Sequence, residues 1–140
     1  MLVALLMSTH VSAVAPDANC RAAAQQLCRD RVRMLVVQSD GKLAGSVTDR
    51  GIVEYCVAAG RDPNAVTVGQ IMMPPYCARP DHNIEYIARF MQEHKMRRLP
   101  VAEEDGTVVG VISLADIAAY LRKIVDDVLD DVSQPSATSG

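Results

Sequence analysis

The sequence predicts an α/β (α+β) fold made of two copies of one unit, packed sheet to sheet with pseudo-two-fold symmetry. Two observations carry this. Arg98 to Ile117 reads as strand, turn, strand and the start of a helix, and Arg33 to Ile52 has the same order of elements. Within them Asp40-Gly41 matches Asp105-Gly106, Gly45 matches Gly110, and Thr48 matches Ser113, while Gly51 stands where the second copy has Asp116. A unit with one apolar sheet face and helices on the other leaves that face exposed when alone, so two copies stacked through their sheets form the simplest closed solution.

The elements follow in order. Val3 to Met7 reads as a short helix, and Val3-x-x-Leu6-Met7 recurs as Val68-x-x-Ile71-Met72, so the opening segment is expected to be structure and not a secretion signal. A strand is expected at Val11 to Val14, then a helix from Cys20 to about Arg31 capped by Asn19, with Ala23, Leu27 and Cys28 on its apolar face. Met34 to Gln38 and Leu43 to Val47 form a hairpin across Asp40-Gly41, because aspartate followed by glycine suits a tight turn. A helix from Asp49 to about Ala59 is closed by Gly60.

In the second copy a short helix at Val68 to Met72 is stopped by Pro74-Pro75, and a strand at Tyr76 to Arg79 follows. Asn83 caps a helix with Ile84, Ile87, Ala88 and Met91 on one side. Arg98 to Ala102 and Thr107 to Ile112 form the second hairpin, and Ala115 to about Val132 the last helix. Its narrow seam, Ile117, Leu121, Ile124, Val128 and Val132, ends among four aspartates, where the helix dipole disfavours anions. The expected organisation is a first repeat at 1–62, a connector at 63–67, a second repeat at 68–132 and a disordered tail at 133–140.

Composition narrows the function. At 140 residues, 49% apolar and 22% charged, the chain can bury a core without disulfides. A formal charge of −3 with no tryptophan gives neither a field nor a stacking platform for duplex nucleic acid, and no stretch is long enough to span a bilayer. Cys20, Cys28, Cys56 and Cys77 lack Cys-x-x-Cys spacing and read as four core thiols of a cytoplasmic protein. His10, His82 and His94 have no ligand spacing for a metal. There is neither a Gly-x-Ser-x-Gly elbow nor a Walker phosphate loop, so no enzyme is expected.

The residues Leu99-Pro100-Val101, Asp105-Gly106, Gly110-Val-Ile-Ser113-Leu-Ala-Asp116-Ile117 and their copies around Gly45-Ser-Val-Thr48-Asp-Arg-Gly-Ile52 resemble the cystathionine-β-synthase (CBS) domain, present as a tandem pair or Bateman module. The resemblance spans roughly residues 3 to 122. It implies a free-standing bacterial CBS pair that is regulatory and non-catalytic. It implies AMP, ADP, ATP or S-adenosylmethionine in a cleft between repeats, with no required cofactor. It also implies a homodimer and an unidentified regulated protein.

In the family, the hydroxyl of Ser/Thr-x-x-Asp contacts phosphate and the aspartate holds the ribose, which would assign Ser113 and Asp116 those roles. Ser-x-x-Asp is equally a capping box, so the spacing alone does not choose. Thr48 supplies the matching hydroxyl of the first cleft, where Gly51 cannot hold a ribose; Arg79 and Cys77 are the expected lining residues beside the second. The basic run Lys95, Arg97 and Arg98 is either a phosphate partner or a solvated rim. The alternative to a nucleotide sensor is a ligand-free dimeric scaffold.

Overall fold

The computed structural model describes residues 1–134; most of the expected tail, 135–140, lies outside the described residues. The elements are α1 (Val3–Leu6), β1 (Ala13–Val14), α2 (Cys20–Asp30), β2 (Met34–Ser39), β3 (Lys42–Thr48), α3 (Asp49–Ile52), α4 (Val68–Ile71), α5 (Ile84–His94), β4 (Arg98–Ala102), β5 (Val108–Ser113) and α6 (Leu114–Ser133). Local chemistry sets most of these ends. Asn19 accepts from the Ala22 N–H at 2.8 Å and Asn83 from the Glu85 N–H at 2.8 Å, so each long amphipathic helix begins on a side-chain cap. Arg31 and Lys95, at φ 54° and 53°, end α2 and α5 in the same left-handed conformation.

Each repeat builds half a sheet of its own and borrows the rest. β1 lies parallel to β2, β2 antiparallel to β3, and Met73 from the start of the second repeat bridges to Ser46 on the outer side of β3. Correspondingly, Ala78 bridges in parallel to Val101 of β4, β4 pairs antiparallel with β5, and Ser8 from the start of the first repeat bridges to Val111. The short helices are therefore exchanged. Val3 of α1 is buried in the second core with Ile84, Ile87, Met91 and Leu99, and Val68 and Ile71 of α4 join Leu27, Leu35 and Val47 in the first. At both crossings a glycine makes room: a Cβ at Gly45 would collide with the Met73 carbonyl oxygen, and one at Gly110 would come within 2.6 Å of the Ser8 carbonyl oxygen.

The central strands are buried on both faces. Leu35, Val37, Leu99 and Val101 face the helices, while Met34, Val36, Pro100 and Ala102, which alternate with them, are also buried, as stacked sheets require. The hairpin turns meet across the pair: the Leu43 N–H donates to the Gly106 carbonyl at 2.9 Å, and Lys42 Nζ reaches Thr107 Oγ1 at 3.3 Å and Asp105 Oδ2 at 3.4 Å.

Four expectations need correction. The strand at Tyr76 to Arg79 is only the Ala78 bridge, because Pro74, Pro75 and Pro80 hem the segment in. The helix from Asp49 keeps α geometry only to Ile52 and continues as a π-helical turn over Val53–Val57. Cys28 is exposed, since the inward positions of α2 are Cys20, Ala23 and Leu27, and residue 28 lies a further 100° or so round the helix. The four thiols are therefore not all in the core. Cys20 and Cys56 are buried together, and burial first, then the neighbouring Cys56, pushes the Cys20 thiol up to about 11. Last, the strand expected at Val11 to Val14 is confined to Ala13–Val14; the seam of α6, whose burial the sequence left open, is buried only at Ile117, with Leu121, Ile124, Val128 and Val132 exposed.

Candidate functional site

The N-termini of α3 and α6 are the two pseudo-equivalent places where a strand delivers a hydroxyl to a helix start. Thr48 Oγ1 accepts from the Gly51 N–H at 3.0 Å, and Ser113 Oγ accepts from the Asp116 N–H at 3.1 Å. In both, the first helical N–H donates to an arginine carbonyl of the same repeat: Asp49 to Arg33 at 3.1 Å, Leu114 to Arg97 at 2.8 Å. Only the serine half of the second capping box is formed. The Asp116 carboxylate is exposed and has no hydrogen-bond or ion-pair partner among the described residues.

A cavity of about 510 Å³ opens at the first of these places. Ser46, Val47, Thr48, Asp49, Arg50 and Gly51 form one wall, and Ile71 and Met73 from the exchanged segment adjoin it. The facing wall, His94 to Arg98, belongs to the second repeat. Lys95, left-handed, ends α5 ahead of β4, and the basic run beside it lines the cavity, which is the side a phosphate partner would need to face. A shallower hollow of about 590 Å³ shares Asp49, Arg50, Glu54, Arg97 and Arg98 with it and adds Arg33.

Charge is concentrated here. Five cations, Arg33, Arg50, Lys95, Arg97 and Arg98, face two carboxylates, Asp49 and Glu54, in a chain whose formal net charge is −3. Arg50 is paired to Glu54 at 2.9 Å, and the Asp49 carboxylate accepts from the Arg50 N–H at 2.7 Å. Arg33, Lys95, Arg97 and Arg98 have no ion-pair partner among the described residues. An apolar inner wall with a cationic mouth suits a ligand with an apolar ring and an anionic tail.

Of the residues expected to form the site, Thr48 lines this cavity; Ser113, Asp116, Arg79 and Cys77 do not. Ser113 pairs with Arg98 at the beginning of β4, whereas Cys77 and Arg79 flank Ala78, which pairs with Val101 nearer its other end. Arg79 Nη1 lies 3.8 Å from Glu104 Oε2, and its N–H donates to His82 Nδ1 at 3.0 Å. Burial raises the Cys77 thiol, partly offset by the Arg79 charge. Several lining residues escaped the sequence reading, Arg33 and Ser46 among them. Arg33 follows Arg29 and Arg31 in the sequence, and only the fold brings it to the mouth. Ser46 did carry a signal: the matching position of the second repeat is Val111, so a hydroxyl stands where the pattern calls for an apolar residue.

Two stacked, segment-exchanging α/β repeats with a cavity at their junction define a tandem-repeat module whose working surface is made by both copies. The chain belongs to the CBS domain family, whose sequence model matches residues 3–58 and 68–123. Hypoxic response protein 1 of Mycobacterium tuberculosis is 35% identical over 118 residues, covering 83% of this chain and 82% of that protein. A crystal structure of Hypoxic Response Protein I with two coordinated zinc ions aligns with TM-score 0.76 at 33% identity, covering 85% of this chain and 98% of that one. A hexameric CBS-CP12 protein from bloom-forming cyanobacteria aligns with TM-score 0.76 at 29% identity, covering 84% of this chain and 69% of that one. Among the described residues, no three His, Cys, Asp or Glu side chains gather where they would hold a metal, and no helix is long and apolar enough to cross a membrane. Tandem CBS pairs are regulatory modules, and that is the class this chain falls in.

Proposed function

We propose that this protein is a non-catalytic cytoplasmic sensor that binds an adenine nucleotide in the cleft between its repeats. The observation that carries this is the excess of cations at the cavity mouth, five against two carboxylates. It selects among the ligands the family suggests. AMP, ADP and ATP bring phosphates to Arg33, Arg97 and Arg98; S-adenosylmethionine brings a sulfonium and an ammonium against a single carboxylate, and is disfavoured there by like charge. The pseudo-equivalent cleft at Ser113 and Asp116 is the second candidate, and the unpartnered Asp116 carboxylate suits a ribose diol. Three buried or half-buried free thiols and one exposed free thiol fit a reducing compartment.

The test is a thermal-shift titration with AMP, ADP, ATP, NADH and S-adenosylmethionine. A ligand that binds only the folded chain raises its melting temperature by mass action. The expected result is a shift that grows with phosphate count, falls with added salt and is lost in Arg98→Gln. A shift with S-adenosylmethionine alone, or with none of the five, overturns the reading.

One observation favours a second role alongside this one. Leu121, Ile124, Val125, Val128 and Leu129 of α6, with Val53, Tyr55 and Val57 of the first repeat, are exposed. Such apolar surface suits a homodimer or the docking of a regulated protein, and the hexameric relative fits self-association. The α6 residues that truncation after Tyr120 removes, 121–133, are all exposed, so the truncation should abolish assembly in size-exclusion chromatography and leave nucleotide binding intact. If assembly persists, this surface is not the interface.

A further inference from the structure

The buried end of the cavity holds a polar group that the fold does not use. Ser46 is 1% exposed, and its Oγ has no hydrogen-bond partner. Its main chain is fully engaged: the Ser46 N–H donates to the Met73 carbonyl at 3.3 Å and its carbonyl accepts from the Met73 N–H at 2.8 Å. At the pseudo-equivalent crossing, Val111 makes the same two bonds to Ser8, each at 2.9 Å, with no hydroxyl at all. The backbone arrangement therefore does not need one, and an unpaired buried hydroxyl weakens a protein that keeps it.

Ser46 lies on the same face of β3 as Thr48, and both line the cavity. Thr48 stands at the helix start beside the cationic mouth, and Ser46 two residues deeper, about 7 Å along the strand. An elongated ligand with its anionic end at Arg33, Arg97 and Arg98 carries its other end toward Ser46. We infer that the Ser46 hydroxyl is a specificity-determining contact that exchanges a hydrogen bond with the polar edge of the ligand's heterocycle. It is the partner that this hydroxyl lacks in the protein. The inference rests on the reading of the cavity as a nucleotide site, and it adds which group reads the base. A pure phosphate ligand would use only the mouth.

The experiment is calorimetric titration of wild type, Ser46→Ala and Arg98→Gln with ADP, GDP and inorganic pyrophosphate, together with the melting temperature of each unliganded protein. In Ser46→Ala, ADP should bind roughly five- to tenfold more weakly, as for the loss of one buried hydrogen bond. Pyrophosphate affinity should not change, and the discrimination between ADP and GDP should narrow. Without ligand, Ser46→Ala should melt at or above the wild-type temperature, since it deletes an unpaired group. Arg98→Gln should weaken all three ligands. If Ser46→Ala binds ADP like wild type, the Ser46 role is overturned while the cavity reading stands. If it melts lower with unchanged affinity, the hydroxyl is structural. If neither ADP nor pyrophosphate binds wild type, the cavity reading falls and the Ser46 role falls with it.

Discussion

The two repeats are built to one plan and finish their helix starts differently. Both deliver a hydroxyl, Thr48 or Ser113, to the third helical N–H at 3.0–3.1 Å. Both receive an exchanged segment over a glycine. Yet the described cavity opens at the copy that has Gly51, where the second copy has Asp116. The difference teaches that the charge around a helix start depends on what the opposite repeat brings to it more than on the local motif. The first start meets Lys95, Arg97 and Arg98, and a carboxylate at position 51 would stand among those cations and compete with any anion.

The largest effects should come from breaking what the repeats share. Gly45→Val and Gly110→Val each force a side chain into a crossing that has space for none, against Met73 in one case and Ser8 in the other. Each should destabilise by roughly 1–3 kcal/mol or more, as overpacked cores do, and by similar amounts because the crossings are equivalent. Urea denaturation of both variants checks this. A large effect at one glycine and none at the other would mean that only one exchanged segment holds the pair together.

The next effect separates the clefts. Arg98→Gln should weaken ADP binding by about 1.5–3 kcal/mol, the range for a hydrogen bond to a charged group, while Asp116→Ala leaves it unchanged if the cavity at Thr48 is the nucleotide site. Asp116 makes no side-chain hydrogen bond, so its removal should cost stability only through the helix dipole, about 0.3–1 kcal/mol. The reverse pattern, affinity lost in Asp116→Ala and kept in Arg98→Gln, would move the site to the second cleft.

A smaller change sharpens the same contrast. Glycine at a helix start weakens it by roughly 1 kcal/mol. A Cβ at Gly51 would lie 3.2 Å from Thr48 Oγ1, and the second repeat accommodates a side chain at this position with its serine cap intact. Gly51→Asp should therefore stabilise the protein by up to about 1 kcal/mol, seen as a higher melting temperature, and weaken pyrophosphate by adding a negative charge at the mouth. A gain in both stability and pyrophosphate affinity would contradict the electrostatic account of the cavity.

What the sequence could reveal was local. The hairpins, the Asn19 and Asn83 caps, the hydroxyl at each helix start and the repeat itself all follow from short-range patterns, and all are present. The exchange of α1 and α4 was not legible. Val3-x-x-Leu6 and Val68-x-x-Ile71 have the same apolar spacing, and nothing in either says which sheet it will cover. The face of the Lys95–Arg98 run was equally hidden, because one left-handed residue at Lys95 sets it. Cys28 misled for a simpler reason: an apolar residue next to an inward one is not itself inward on a helix.

The finest contrast lies in the turns, where the same Asp-Gly dipeptide makes two structures. Asp40 and Gly41 both have positive φ, 53° and 74°, as a two-residue type I′ loop requires, and Ser39 pairs directly with Lys42. Asp105 keeps negative φ; only Gly106, at 90°, is left-handed, and the Glu103 N–H donates to the Thr107 carbonyl at 2.9 Å around a longer loop. The Asp105 carboxylate closes this loop by accepting from the Thr107 N–H at 2.9 Å, and Lys42 of the other hairpin stands 3.4 Å away. Those contacts, the Thr107 N–H first, hold the Asp105 carboxyl below the ordinary aspartate value. The sign follows: a carboxylate whose folded pKa is depressed adds stability that is present above its unfolded pKa and lost as pH falls through the folded one. Asp105 is fully exposed, so the effect is small. Asp105→Asn should melt slightly below wild type at neutral pH, with a deficit that shrinks as pH falls below about 4. An Asp105→Asn deficit that stays constant on acidification would mean the second turn is held by Gly106 and the backbone alone.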